Sequence, residues 1–138
     1  MKKGKLKNLY LKIRCYFLGI TFPLEDRLFC CLSADRQGAL AQSRVGDCLQ
    51  IVHVKHNDRF TAVVYSIPLN RIVGCAGKQL TQDLLRVFKS GFCLDGEIAD
   101  IQTDENGIAR CVIRVFDSAA MMSPYLEDIP FLSSAFNE

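Results

Sequence analysis

Seven cysteines and two histidines are the side chains best suited to metal or nucleophilic chemistry. They are Cys15, Cys30, Cys31, Cys48, Cys75, Cys93 and Cys111, with His53 and His56. A structural zinc site draws its ligands from paired short spacings such as Cys-x-x-Cys, and none occurs here. Cys30 and Cys31 are adjacent, and on a strand the His-x-x-His pair points its two rings to opposite faces. No cofactor is expected, zinc being the one metal that these residues leave open. A nucleophilic alternative pairs Cys75, at the end of an apolar run, with the imidazole of His53 or His56. The simplest expectation is that the thiols are small buried hydrophobes in a reducing compartment, and Cys93 and Cys111 do fall in alternating apolar patterns. Gly74-Cys75-Ala76-Gly77-Lys78 approaches a phosphate loop but lacks its spacing and the Ser or Thr after the lysine. No Gly-x-Ser-x-Gly elbow occurs. The acids Asp26, Asp35, Asp95 and Glu97 are scattered, as solvated surface groups would be.

A second constellation joins a ring to cations. Lys12, Arg14 and Tyr16 alternate, so an extended chain would set them on one face. An aromatic face flanked by cations can stack on a base and hold a phosphate. The charge distribution points the same way. The net charge of +2 over 138 residues gives no whole-molecule argument for a nucleic acid or an anionic membrane. However, the first 14 residues carry Lys2, Lys3, Lys5, Lys7, Lys12 and Arg14 and no acid. The remaining 124 residues hold eleven basic and fifteen acidic side chains, a balance of −4. The leading segment is therefore either a solvated terminus or a basic arm that meets phosphates. Lys12 and Arg14 interrupt its apolar run and no small-residue cleavage site follows, so it does not fit a secretory signal. No stretch approaches the length of a membrane span. The expectation is a cytoplasmic protein with no membrane partner.

The length fits one domain, and 49% apolar with 23% charged residues is ordinary globular usage. Residues 1–8 are expected as a basic arm, 9–117 as the domain and 118–138 as a tail, with a short helix near Ser118–Met122. Leu9 to Thr21 is rich in aromatic and β-branched residues and is predicted to be a strand, stopped by Pro23. Ser33 should cap a helix reaching about Arg44, with Asp35 in its first turn. Val45-Gly46-Asp47 makes a turn. Strands are predicted at Cys48–Val54, Phe60–Ser66 and Arg71–Cys75, the last two as a hairpin. Leu80, Leu84, Leu85 and Phe88 recur at helical spacing over Lys78–Ser90, Val87 widens the stripe, and Gly91 is the stop. Phe92–Ile101 and Ile108–Phe116 alternate around Asp104-Glu105-Asn106-Gly107, a hairpin turn. The predicted fold is mainly β with two helices, a small OB-like antiparallel β-barrel.

Several segments in this order resemble the HIRAN domain. They are Phe17-Leu18-Gly19-Ile20-Thr21-Phe22, Arg36-Gln37-Gly38-Ala39-Leu40 and Val45-Gly46-Asp47-Cys48-Leu49-Gln50-Ile51-Val52. Thr61-Ala62-Val63-Val64-Tyr65, Arg71-Ile72-Val73-Gly74 and the leucines of the second helix come next. The resemblance covers about Leu11 to Phe116. It implies an OB-like barrel that binds single-stranded DNA without catalysis, in some members at a 3′ end, beside or fused to a nuclease or helicase. Carried over residue by residue, it puts the stacking ring on Tyr16 and a phosphate contact on Lys78. Arg14 is the second phosphate ligand, Phe60 a second stacking ring, and Asn57 and Asp58 the polar contacts. Cys75 stands where the family has His or Tyr. The family's Pro-Tyr ahead of the Thr61–Tyr65 segment is missing, which removes part of the 3′-end recognition set. The alternatives are a protein-interaction module that has lost DNA binding and a metal- or thiol-dependent enzyme.

Overall fold

The computed structural model describes residues 13, 15–56, 59–88 and 92–119. In chain order its elements are β1 (Leu24–Arg27), α1 (Ala34–Ala41), β2 (Cys48–His56), β3 (Arg59–Ser66), β4 (Arg71–Cys75), α2 (Lys78–Phe88), β5 (Cys93–Thr103) and β6 (Ala109–Ala119). The strands form one antiparallel sheet in the order β1-β6-β5-β2-β3-β4. The mainly β expectation holds, but the sheet does not close as a continuous ladder. Its two edges meet at a single bridge, where Phe29 and Cys75 exchange both backbone hydrogen bonds at 2.9 and 2.8 Å.

Period-2 alternation builds the sheet. Leu49 and Ile51 on β2, Ala62 and Val64 on β3, Leu94 and Ile98 on β5 and Ile113 and Val115 on β6 share the main core. Each large apolar side chain removed from water contributes roughly 1.5–3 kcal/mol. α2 adds Leu80 and Leu84 to this core, with Leu85 and Phe88 packed at its margin. The opposite face of β2-β3-β4 carries a smaller cluster of Val52, Val63, Tyr65, Ile72 and Cys75. The Asp104–Gly107 turn forms as expected. The Asp104 carboxylate accepts from the backbone N–H groups of Asn106 and Ile108 at 2.9 and 3.0 Å, and Gly107 takes φ +77°.

α1 is a clasp as well as a lid. Ser33 caps it by accepting from the Arg36 N–H at 3.4 Å. The buried Arg36 guanidinium donates to the Cys30 carbonyl, which fixes the turn after the bridge. The Gln37 amide donates to the carbonyls of Cys31 (2.9 Å) and Ala109 (3.0 Å) and accepts from the Ala109 N–H (2.8 Å). The Arg-Gln pair thus joins α1 to the start of β6 and to the chain just beyond the bridge. On β6, Arg114 bonds both Glu25 of β1 (2.7 Å) and Glu97 of β5, tying three neighbouring strands on the outer face.

Three expectations are corrected. Residues 15–18 are helical rather than part of a Leu9–Thr21 strand. The reason is Gly19 at φ +69°: its N–H bonds to Tyr16 O (3.3 Å) and that of Ile20 to Cys15 O (3.0 Å), the paired bonds of a Schellman helix stop. The edge strand forms instead at Leu24–Arg27, directly after Pro23, in register with Val112–Val115. Finally, β6 runs on to Ala119, so Ser118 is extended rather than the start of a helix. The expected stop at Gly91 lies outside the described residues.

The bridge needs a bare backbone at Gly74. A Cβ there would stand 2.5 Å from the Phe29 carbonyl oxygen and 2.8 Å from two carbons of Leu28. Gly38, inside α1, has open space around it. In urea unfolding, Gly74→Ala is therefore expected to lose about 1–3 kcal/mol, whereas Gly38→Ala gains about 0.5–1 kcal/mol.

Candidate nucleic-acid interface

β4 leaves the bridge at Cys75 and α2 begins at Lys78. The short link is tethered by the Ala76 N–H, which donates to Ala62 O at 2.7 Å, and Thr81 seals the first turn by donating from N and Oγ1 to Gly77 O at 2.9 and 2.8 Å. A groove of about 450 Å³ opens over this junction. Thr61 of β3 and Ala76 form one wall, and Lys78, Thr81, Gln82 and Leu85 form the other. These last four follow i, i+3, i+4, i+7 spacing, so they share one face of α2.

The lining holds one cation, three polar groups and no carboxylate. The first turn of α2 itself carries no acid, so the positive end of the helix dipole and the Lys78 ammonium add; the Asp26 carboxylate of β1 lies against Gly77, 3.2 Å from where a Cβ on that glycine would stand. Arg86 pairs with Asp83 at 3.8 Å and Arg71 with Asp35 at 3.7 Å. Asp83 also accepts from Gln79 at 3.0 Å, which holds its charge on the helix. Lys78 is exposed and makes no ion pair among the described residues.

Cys75 lies beneath this groove, 3% exposed, with its thiol hydrogen-bonded to Cys30 and to Thr61. Its link to the groove therefore runs through Thr61. Burial, reinforced by the neighbouring Cys30, pushes its pKa up to about 12. Burial beside Cys31 and Asp100 does the same for Cys111, also to about 12. Such thiols stay protonated and are poor nucleophiles. Nor does His53 reach Cys75. His53 pairs with Ala62 and Cys75 with the adjacent Val63, which puts them on opposite faces of the sheet. The His53 ring stacks on Phe92 at 5.2 Å, and burial lowers its pKa. Among the described residues no three His, Cys, Asp or Glu side chains gather as a metal would require.

Of the residues expected to share a binding face, Tyr16 and Lys78 line two different grooves. Tyr16 lines a different groove with Cys15, Ile20, Thr21, Phe22 and Asp117. That groove sits toward the other end of α2, where Phe22 meets Phe88 with ring centroids 5.9 Å apart. An eleven-residue helix is roughly 16 Å long, and α2 spans the interval. Phe60 lies in β3 next to Thr61, paired in register with Lys55, and its side chain is outside the described part of the structure. Arg14, Asn57 and Asp58 also lie outside the described residues. The residues that sequence reasoning missed are Thr61, Thr81, Gln82 and Leu85. Their signal was helical spacing counted forward from Lys78, with Thr61 one place before the Ala62-Val63 core pair.

Fold and site define a class only: a small, mainly β protein on one antiparallel sheet, with a cationic groove at the start of its second helix. Comparison with protein-family models, with curated proteins and with solved structures finds no match for this chain. Among the described residues no helix is long and apolar enough to cross a membrane.

The raised thiol pKa values have a consequence for stability. The fold favours the protonated forms of Cys75 and Cys111, so their contribution is complete below pH 9.0, their ordinary value, and is lost as pH rises toward about 12. Unfolding free energy in urea is expected to fall across that window. The Cys75→Ala/Cys111→Ala chain should fall less steeply than the parent, and equal slopes would refute the assignment.

Proposed function

We propose that the protein is a non-catalytic, HIRAN-like module that binds single-stranded nucleic acid, DNA in the first instance, through the groove at the start of α2. The observation that carries this reading is the groove's composition: Lys78, which makes no ion pair among the described residues, with Thr61, Thr81 and Gln82 beside it and no carboxylate in the lining. A phosphate takes the ammonium, the Gln82 amide supplies a further polar contact, and Leu85 offers an apolar wall for a base. The resemblance carries a stacking ring to Phe60, which precedes Thr61 in β3, and polar contacts to Asn57 and Asp58. Cys75 acts by supporting Thr61. The module's setting is the cytoplasm, with a nuclease or helicase as its protein partner.

Supporting this reading are the ordered resemblance along the chain and the position of Lys78, the carried-over phosphate ligand, at the head of an acid-free first turn. The test is a titration of labelled single strands at several salt concentrations. Lys78→Gln is expected to weaken binding across sequences and to reduce the slope of log affinity against log salt by about 0.7, one phosphate contact on a single strand. Absence of binding at low salt, or an identical salt slope for the variant, would overturn the reading. Strands with free and phosphorylated 3′ ends, compared in the same assay, decide whether an end is recognised.

A further inference from the structure

The chain just beyond the bridge gathers four cysteines into two pairs. Cys30 and Cys31 are adjacent, yet their thiols go to different cores. Cys31 enters the main core with Cys111, and Cys30 packs against the smaller cluster that holds Cys75. The Cys30 and Cys75 thiols are hydrogen-bonded to one another. The bridge accounts for this contact. Phe29 and Cys75 face each other as a doubly hydrogen-bonded pair, about 5.5 Å apart at Cα. In a regular strand the next residue, Cys30, would send its side chain to the other face of the sheet. Its φ of +54° breaks that alternation, and the buried Arg36 holds it there through the Cys30 carbonyl.

The two pairs differ in access. Cys31 and Cys111 are 5% and 3% exposed, so solvent does not reach either thiol. Cys30 is half-buried and forms the open side of its pair. Cys93, also beside the smaller cluster, is not a competing partner for Cys75. It lies three strands away along the row Cys93, Val52, Val63, Cys75. At about 4.8 Å per strand the separation is roughly 14 Å, about twice the Cα span of a disulfide.

We propose that Cys30 and Cys75 form a reversible disulfide under peroxide, a staple between the two edges of the sheet at their seam. The Cys30 sulfur attacks one oxygen of hydrogen peroxide and becomes a sulfenic acid, while the other oxygen leaves as water with the thiol proton. The Cys75 sulfur then displaces the sulfenic hydroxyl. The S–S bond forms, the S–O bond breaks, and the Cys75 proton leaves with that oxygen as a second water. Two thiols thus give two electrons to one peroxide. The buried Cys75 thiol is a poor nucleophile, but its step is intramolecular and starts from contact. A small dithiol reverses the bond by exchange. The cross-link closes a long loop and so restricts the unfolded chain. It forms whether or not the groove binds a strand.

The test is exposure of the full chain to hydrogen peroxide, isolation of the monomer, alkylation, and tryptic mapping without reduction. A cross-link is expected between peptides 28–36 and 72–78, two hydrogens lighter than the separate peptides and released by dithiothreitol. Cys31→Ser should keep it and Cys30→Ser should abolish it. Fragment ions of the parent's cross-link also separate Cys30 from Cys31 without any variant. The oxidised monomer should unfold roughly 5–15 °C above the reduced one, a shift absent in Cys30→Ser. No cross-link in the monomer, a bond to Cys75 from any other cysteine, or equal unfolding temperatures of the two forms would overturn the proposal.

Discussion

A sheet of six antiparallel strands has two open edges, and in this protein the contact between them is two hydrogen bonds wide. Phe29 and Cys75 make that contact, and most of the chain's unusual features lie next to it. Gly74 removes the side chain that would strike the Phe29 carbonyl. Gly77 does the same for the Phe29 ring, which would stand 2.6 Å from a Cβ. Cys30 turns the chain away at φ +54°, a conformation costly for a non-glycine residue, and the buried Arg36 holds the carbonyl of that same residue. The Gln37 amide then fixes Cys31 against β6. Exposed sheet edges invite pairing with other chains, and one well-supported bridge suppresses this where a short β1 of four residues could not close a full ladder.

The same bridge sets the chemistry of the surface above it. Cys75 must be buried because it belongs to the seam, and burial keeps its thiol protonated. The groove over it is then lined by the tethered Ala76, by Thr61 and by one face of α2. With the backbone anchored from both sides, the Lys78 ammonium is projected from a fixed helix start rather than from a loop. Rigid presentation lowers the entropic cost of engaging any ligand at that position.

Much of this was legible in the sequence where one physical signal acted alone. β2, β5 and β6 alternate cleanly, so their buried faces followed from a period of two, and α2 followed from its leucine spacing. The Asp104–Gly107 turn is set by its own side chains. The beginning of the chain was misread because two signals compete there. Tyr10, Ile13, Tyr16, Phe17 and Ile20 favour a strand by composition, yet Gly19 at positive φ ends a helix, and that local hydrogen-bonded stop prevails. β1 gave little signal, since Leu-Glu-Asp-Arg has no β-branched residue and takes its conformation from pairing with β6. The site was half visible. Lys78 stood out as a cation at a helix start, whereas Thr61 and Cys75 acquire their roles from a bridge between residues 46 positions apart, which no local pattern encodes.

That correction changes the meaning of the charge asymmetry. Had residues 9–21 been a strand, Lys12, Arg14 and Tyr16 would have lain on a sheet face, adding cations to a groove. Residues 15–18 instead form a helical turn ending at Gly19, with Ile13, Tyr16 and Phe17 exposed. The body of the protein carries excess acid, and in the described part Arg71, Arg86, Arg110 and Arg114 are each paired with it. Lys78, at the start of α2, makes no ion pair among the described residues, and the six cations of the first 14 residues lie outside them. A net charge of +2 therefore averages a basic leading segment with a body that carries excess acid.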